Sequence, residues 1–120
     1  MKRAMKQAMK RPTLDRDTEP LFAALADRTR LEILARLRHG EISAGDIALG
    51  FRISRPAVSR HVRVLRKARL VRERRDGRIR YYALNPEPLL LIDRWLEMYR
   101  AAWHDRLVRL KRHAESGSRS

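Results

Sequence analysis

Ser54-Arg55-Pro56-Ala57-Val58-Ser59-Arg60-His61-Val62-Arg63-Val64-Leu65, and four residues later Leu70-Val71-Arg72-Glu73-Arg74-Arg75-Asp76-Gly77-Arg78-Ile79-Arg80-Tyr81-Tyr82-Ala83-Leu84, together decide the fold. Ser54 has the side-chain oxygen that accepts the orphan N–H groups at a helix start. Pro56 falls in the first turn, where its missing N–H costs nothing. Ile53 before the cap and Val58 inside are spaced as a hydrophobic staple. Val58, Val62 and Leu65 recur on one helical face, and Arg55, Ser59, Arg60 and Arg63 lie away from it. The rhythm then changes. Residues 70–75 and 78–84 read as strands flanking Asp76-Gly77, a strong hairpin signal.

Working outward toward the N-terminus, Ser43 and Asp46 have the spacing of a helix start. The short helix they open carries Ile47 and Ala48 inward and stops near Gly50. Residues 21–39 read as helical, with Asp27 capping a second helix. Leu31, Leu34 and Leu37 recur there at spacing three, and Gly40 ends it. Toward the C-terminus, Asn85-Pro86 makes a turn, and a long helix is expected from about Pro88 to His113. Leu89, Ile92, Leu96, Tyr99, Trp103 and Leu110 step along it at threes and fours, and Trp95, Met98 and Ala102 widen the band. The expected fold is mainly α with a small β-hairpin: four helices, two strands and a last helix, a winged helix-turn-helix in dimeric form. Residues 1–17 read as a basic flexible arm, 18–113 as the DNA-binding and dimerisation domain, and 114–120 as a disordered tail.

Charge points the same way. The chain of 120 residues holds 29 basic and 14 acidic side chains, a net charge of +15. Residues 1–13 carry five basic groups (Lys2, Arg3, Lys6, Lys10, Arg11) and no acid, and residues 54–80 carry eleven against Glu73 and Asp76. All but one of the net charges therefore sit in two segments. Such concentration attracts a polyanion through counterion release, whereas a merely solvated surface mixes its signs. With no cysteine, disulfides, thiolate metal sites and cysteine nucleophiles are excluded. The longest apolar run, residues 21–26, is far short of a membrane span, so a soluble cytoplasmic protein with no membrane partner is expected. No nucleophile–base pair, phosphate loop or carboxylate pair occurs at a usable spacing, so no enzyme is expected.

A short helix, a tight turn, a basic helix and a basic hairpin suit duplex DNA. The major groove admits one α-helix, and arginine's fork of donors pairs bidentately with guanine there. Ser54, Arg55, Pro56, Ser59, Arg60 and Arg63 are the expected recognition-helix contacts. Arg74, Arg75, Arg78 and Arg80 on the hairpin are expected near phosphates or in the minor groove. The apolar band Leu89, Ile92, Leu96, Tyr99, Trp103 and Leu110 is the expected dimer interface. The aromatic part of that band could also line a ligand pocket, although core or interface is the commoner use of such a stripe.

Ala26-Asp27-Arg28-Thr29-Arg30-Leu31-Glu32-Ile33-Leu34 and Ser54-Arg55-Pro56-Ala57-Val58-Ser59-Arg60-His61-Val62, followed by the arginine-rich hairpin, resemble the ArsR/SmtB family of bacterial repressors. The resemblance covers residues 21–110 or so. It implies a dimer built from the first and last helices, the fourth helix in the major groove, and transcription repressed at an operator. The family's DNA-contacting positions match Arg55, Pro56, Ser59 and Arg60. Its sensing residues do not carry over. Where soft-metal members place cysteines, this chain has residues 41–47 with serine and glycine, and neither replaces a thiolate. Counting from Asp93, the family's other metal positions fall on Trp95, Arg106 and Arg109. Neither standard metal site is therefore implied, no cofactor is expected, and the effector stays unassigned. Of the histidines His39, His61, His104 and His113, no two lie at i, i+4 on one helix, and His61 reads as a packing or phosphate-contacting residue. A site-specific repressor binding an inverted-repeat operator as a homodimer leads. A sequence-tolerant architectural or RNA-binding protein is the alternative that the charge alone would permit.

Overall fold

The computed structural model describes residue 16 and residues 18–117. The expected arm falls almost wholly outside that range, and so do residues 118–120 of the expected tail. The elements run α1 (Glu19–Leu25), α2 (Arg28–Leu37), β1 (Ile42–Ser43), α3 (Ala44–Ile47), α4 (Arg55–Lys67), β2 (Val71–Asp76), β3 (Ile79–Leu84) and α5 (Glu87–Gly117). Two units divide the chain, the first ending at Pro88 and the second beginning at Leu89 within α5.

In the first unit the three helix starts form where the sequence put them. Asp27, Ser43 and Ser54 each accept a hydrogen bond from the backbone N–H three residues on: Arg30 at 3.0 Å, Asp46 at 3.2 Å and Ala57 at 3.3 Å. Val58, Val62 and Leu65 are buried as one stripe, joined by Leu21, Ala24, Ile47, Leu70, Val71 and Tyr82. The staple residue Ile53, by contrast, is exposed.

On α2 the inward face differs from the expected one. Ile33 and Leu37 are buried, Leu34 is half-buried, and Leu31 is exposed. Three residues at spacing three drift round a helix of 3.6 residues per turn and cannot all face one line. A pair at spacing four stays closer to it, and that pair enters the core.

The sheet has three strands in the order β1-β3-β2, one more than the hairpin alone. Ile42 pairs with Tyr82 and Ser43 with Tyr81, so the residue that caps α3 is also bonded to the central strand. A two-residue strand carries no alternation to read, which is why the sequence showed only its capping role. Within the hairpin Asp76 pairs with Ile79, so the two loop residues are Gly77 and Arg78 rather than Asp76 and Gly77. Gly77 takes φ 61° at the first loop position, the place where a two-residue hairpin favours glycine.

Helix α4 ends in a double clasp. The Arg69 N–H donates to the Arg66 carbonyl and the Leu70 N–H to the Leu65 carbonyl, both at 2.9 Å, and Leu65 packs with Leu70 in full burial. This is a Schellman ending whose left-handed position, usually glycine, holds Arg69 at φ 63°. Asn85 completes it. Its backbone N–H reaches the Leu70 carbonyl at 3.0 Å, its Nδ2 donates to the Arg69 carbonyl at 2.8 Å, and its Oδ1 accepts from Arg72 at 2.6 Å. The buried Asn85 is thus a clamp between α4, β2 and the end of β3 as well as a turn residue.

The second unit is the helix itself. α5 continues through Gly117, past its expected end at His113, because Ala114 and Glu115 are good helix formers. The part of the expected tail from 114 to 117 is therefore helical. Along α5, Trp95 and Tyr99 stack with ring centroids 4.7 Å apart, and Arg100 ties to Asp93 and Glu97, both at 3.1 Å. No helix among the described residues is long and apolar enough to cross a membrane.

Candidate nucleic-acid interface

Helix α3, the turn after it and helix α4 form the helix-turn-helix, and Arg36 holds the turn. Its Nη1 donates to the Ile47 carbonyl at 3.2 Å and also to the Leu49 carbonyl, so the end of α3 is capped by a side chain from α2. The guanidinium lies 3.9 Å from the centre of the Phe51 ring, and Glu32 takes its other end at 3.4 Å. Gly50 passes beneath at φ 83°, where a side chain would be strained. The role of Arg36 was missed in the sequence. An arginine on a polar helix face carries no signal for which carbonyls it will meet eleven and thirteen residues on.

With the turn fixed and Val58, Val62 and Leu65 buried, α4 presents the opposite face. Ser54, Arg55, Pro56, Ser59, Arg60 and Arg63 are all exposed. His61 turns the other way. Its Nδ1 lies 3.3 Å from Arg30 Nη1 and 3.7 Å from Asp27 Oδ1, while Arg30 also donates to the carbonyls of Ala24 and Ala23 at the end of α1. His61 is thus a packing residue that joins α4 to α1 and α2. The Asp27 carboxyl in this cluster is held below its ordinary value, first by the hydrogen bond from the Arg30 backbone and further by the charges of His61 and Arg30.

The wing arginines divide into two pairs. Arg74 forms a bidentate pair with Glu41, at 3.1 and 2.6 Å, and lies 4.7 Å from the Tyr81 ring centre. That pairing raises the pKa of Arg74 and lowers that of Glu41. Arg80 approaches Glu73 at 3.8 Å, and Arg66 on α4 holds the other oxygen of that carboxylate at 3.0 Å. Arg75 and Arg78, at the hairpin tip, make no ion pair among the described residues, and the same holds for Arg55, Arg60 and Arg63. Among the described residues, five exposed guanidinium groups on α4 and the wing tip therefore have no acidic partner.

Residues 25–74 match the model of a family described as a helix-turn-helix domain. The chain is 40% identical over 76 residues to the transcriptional repressor SdpR of Bacillus subtilis, covering 63% of this chain and 84% of that protein. It is 46% identical over 74 residues to the HTH-type transcriptional regulator Rv2034 of Mycobacterium tuberculosis, covering 62% of this chain and 69% of the relative. A crystal structure of an ArsR family transcriptional regulator superposes with a TM-score of 0.68 at 30% identity, over 73% of this chain and 97% of the other. The chain belongs to the ArsR family of transcriptional regulators. It is a DNA-binding regulator with the family's winged helix-turn-helix.

Among the described residues no group of three or more His, Cys, Asp or Glu stands where it could hold a metal ion. Trp95 packs on Tyr99, and Arg106 lies 5.7 Å from the Trp103 ring centre. From Leu89 onward no described residue is buried. Leu89, Leu96, Tyr99, Trp103 and Leu110 are exposed, Ile92 is half-buried, and Leu90, Met98 and Leu107 add to the exposed apolar band.

Proposed function

We propose that this protein is a repressor, not an enzyme, that binds an inverted-repeat operator as a homodimer in the cytoplasm. In this reading Arg55 and Arg60 of α4 reach base edges in the major groove, with Ser54, Pro56, Ser59 and Arg63 alongside the phosphates. Arg75 and Arg78 at the wing tip contact backbone or minor groove, and Arg74 and Arg80 shape the hairpin from their ion pairs. The observation that carries the reading is the set of five exposed guanidinium groups with no acidic partner among the described residues. An internal carboxylate would have to be displaced before DNA could bind, and these five require no such exchange. Repression is supported by relatives that are repressors, among them SdpR and the arsenical resistance operon repressor of Escherichia coli, 39% identical over 67 residues. Dimerisation is supported by the apolar band on α5, far larger than the scattered apolar residues of an ordinary surface.

Competition binding of the wild type, Arg60→Ala and Arg78→Ala at two salt concentrations tests the proposal. Arg60→Ala is expected to cost about 1–3 kcal/mol on the operator and little on random DNA. Arg78→Ala weakens both alike and flattens the salt dependence by roughly one unit of slope. Half-site centres about 10 base pairs apart, or a multiple of that, should mirror the dimer axis. Equal binding of operator and random DNA by the wild type refutes the proposal in favour of a sequence-tolerant nucleic-acid binder.

A further inference from the structure

A cavity of about 170 Å³ lies between α3, α4 and β3, beneath the DNA-facing surface. Its floor is apolar, formed by Ile47, Val58 and Val62, each no more than 2% exposed. Its polar groups come from two elements: Arg55 and Ser59 from α4, Arg80 and Tyr82 from β3. Arg80 and Tyr82 are two apart on their strand and so share a face. Tyr82 is only 5% exposed, yet its hydroxyl makes no hydrogen bond among the described residues. A buried phenol normally finds a partner. Neither Arg55 nor Arg80 donates a hydrogen bond to a described residue. Glu73 Oε1 stands 3.8 Å from Arg80, an ion pair beyond hydrogen-bond reach, while Arg66 holds Oε2 at 3.0 Å. An apolar floor therefore sits beneath the Arg55 guanidinium, which has no acidic partner among the described residues, the Arg80 guanidinium, whose ion pair with Glu73 is long at 3.8 Å, a serine hydroxyl and a phenol.

We infer that this cavity binds a small amphipathic carboxylate, its apolar body on the floor and its carboxylate between Arg55 and Arg80. Size sets the class. The cavity is open to solvent on one side, and its space of about 170 Å³ suits an acid of about the size of benzoate. A bare oxyanion would leave the three apolar side chains facing trapped water, and a neutral hydrocarbon would leave the arginines and the Tyr82 hydroxyl unused. The consequence rests on the DNA-binding reading above: a ligand that engages Arg55 and Ser59 occupies groups that α4 offers to DNA. Ligand and operator then exclude one another, which makes the cavity an inducer site on the reading head itself.

Titration calorimetry of benzoate into the full-length, DNA-free protein tests the site independently of any operator. Saturable binding of one benzoate per chain is expected, with Kd at or below about 1 mM. Arg80→Gln should weaken it by about tenfold or more, because a charge-assisted pair is lost. Tyr82→Phe, which keeps every charge, should weaken it about threefold. Ala48→Met adds bulk at a lining position while leaving both arginines in place and should abolish binding. Benzamide and inorganic phosphate should bind at least tenfold more weakly than benzoate. Non-saturable heats, affinity unchanged in Arg80→Gln and Ala48→Met, or phosphate binding as well as benzoate would overturn the inference. In a second arm, saturating benzoate should release the wild type from its operator. Operator binding that ignores bound benzoate overturns the inducer role, and failure of operator binding itself counts against the repressor reading and leaves the calorimetric result standing.

Discussion

Replacing Arg36 by methionine keeps the apolar stem and removes the guanidinium, so it isolates the clamp on the helix-turn-helix turn. Two hydrogen bonds to the Ile47 and Leu49 carbonyls are lost. Each involves a charged donor at a partly exposed site and is worth about 1 kcal/mol. Loss of the Phe51 contact at 3.9 Å adds about 0.5 kcal/mol. The Glu32 pair, at i, i+4 on an exposed face, adds only about 0.3 kcal/mol. The total is about 2–3 kcal/mol, a large part of the margin of a small domain. Urea unfolding at one fixed protein concentration measures it, because dimer stability varies with concentration. The midpoint should fall by about 1 M with an unchanged slope. Arg36→Lys should recover about half of the loss, since a point charge reaches one carbonyl and lacks the planar fork. A loss below about 0.5 kcal/mol, or a lysine variant no better than methionine, would show that the turn holds itself without Arg36.

Arg69→Gly should raise stability by about 0.5–1 kcal/mol in the same assay, since glycine adopts the left-handed position without the Cβ penalty; a drop would mean that the side chain contributes more than its backbone costs. Asp27→Asn keeps the cap and removes the charge. Because the folded Asp27 carboxyl lies below its ordinary value of 3.8, its contribution is complete above that value and lost as pH falls through the lowered folded one. The stability gap between wild type and Asp27→Asn should therefore narrow as pH falls below about 3.8, and a gap that stays constant there contradicts the assignment. Sedimentation of the wild type at micromolar concentration should give about twice 14.2 kDa, and Trp103→Glu should shift it toward the single chain; a monomeric wild type removes the dimer.

What the sequence disclosed was local, and what it withheld was long-range. Asp27, Ser43 and Ser54 act on N–H groups three residues away, so each cap was visible in a four-residue window. The stripe Val58, Val62 and Leu65 was equally plain, because one short helix has one buried side. Arg36, Asn85 and the Arg74–Glu41 pair were silent for the opposite reason. Their partners lie 11 to 33 residues away, and an arginine or asparagine is unremarkable until the fold brings a carbonyl or a carboxylate to it. The same distance hid the division of the wing arginines: four equal cations in sequence become two braced against acids and two left open. The α2 stripe misled because a count of leucines at spacing three ignores the rotation between them, and Ile33 lay outside the count.

The sheet order β1-β3-β2 leaves β2 with one side unpaired along its whole length. An open strand edge is a template on which another copy of the chain can add itself, and proteins blunt such edges with charge. Here the blunting falls to Arg72, Arg74, Arg75 and Asp76, of which Arg75 is also one of the proposed DNA contacts. Neutralising the wing wholesale would therefore strip a guard from the edge as well as a contact from the phosphates. Aggregation in such a variant would pass for lost DNA affinity unless the soluble fraction were measured alongside, and single arginine changes keep the guard in place.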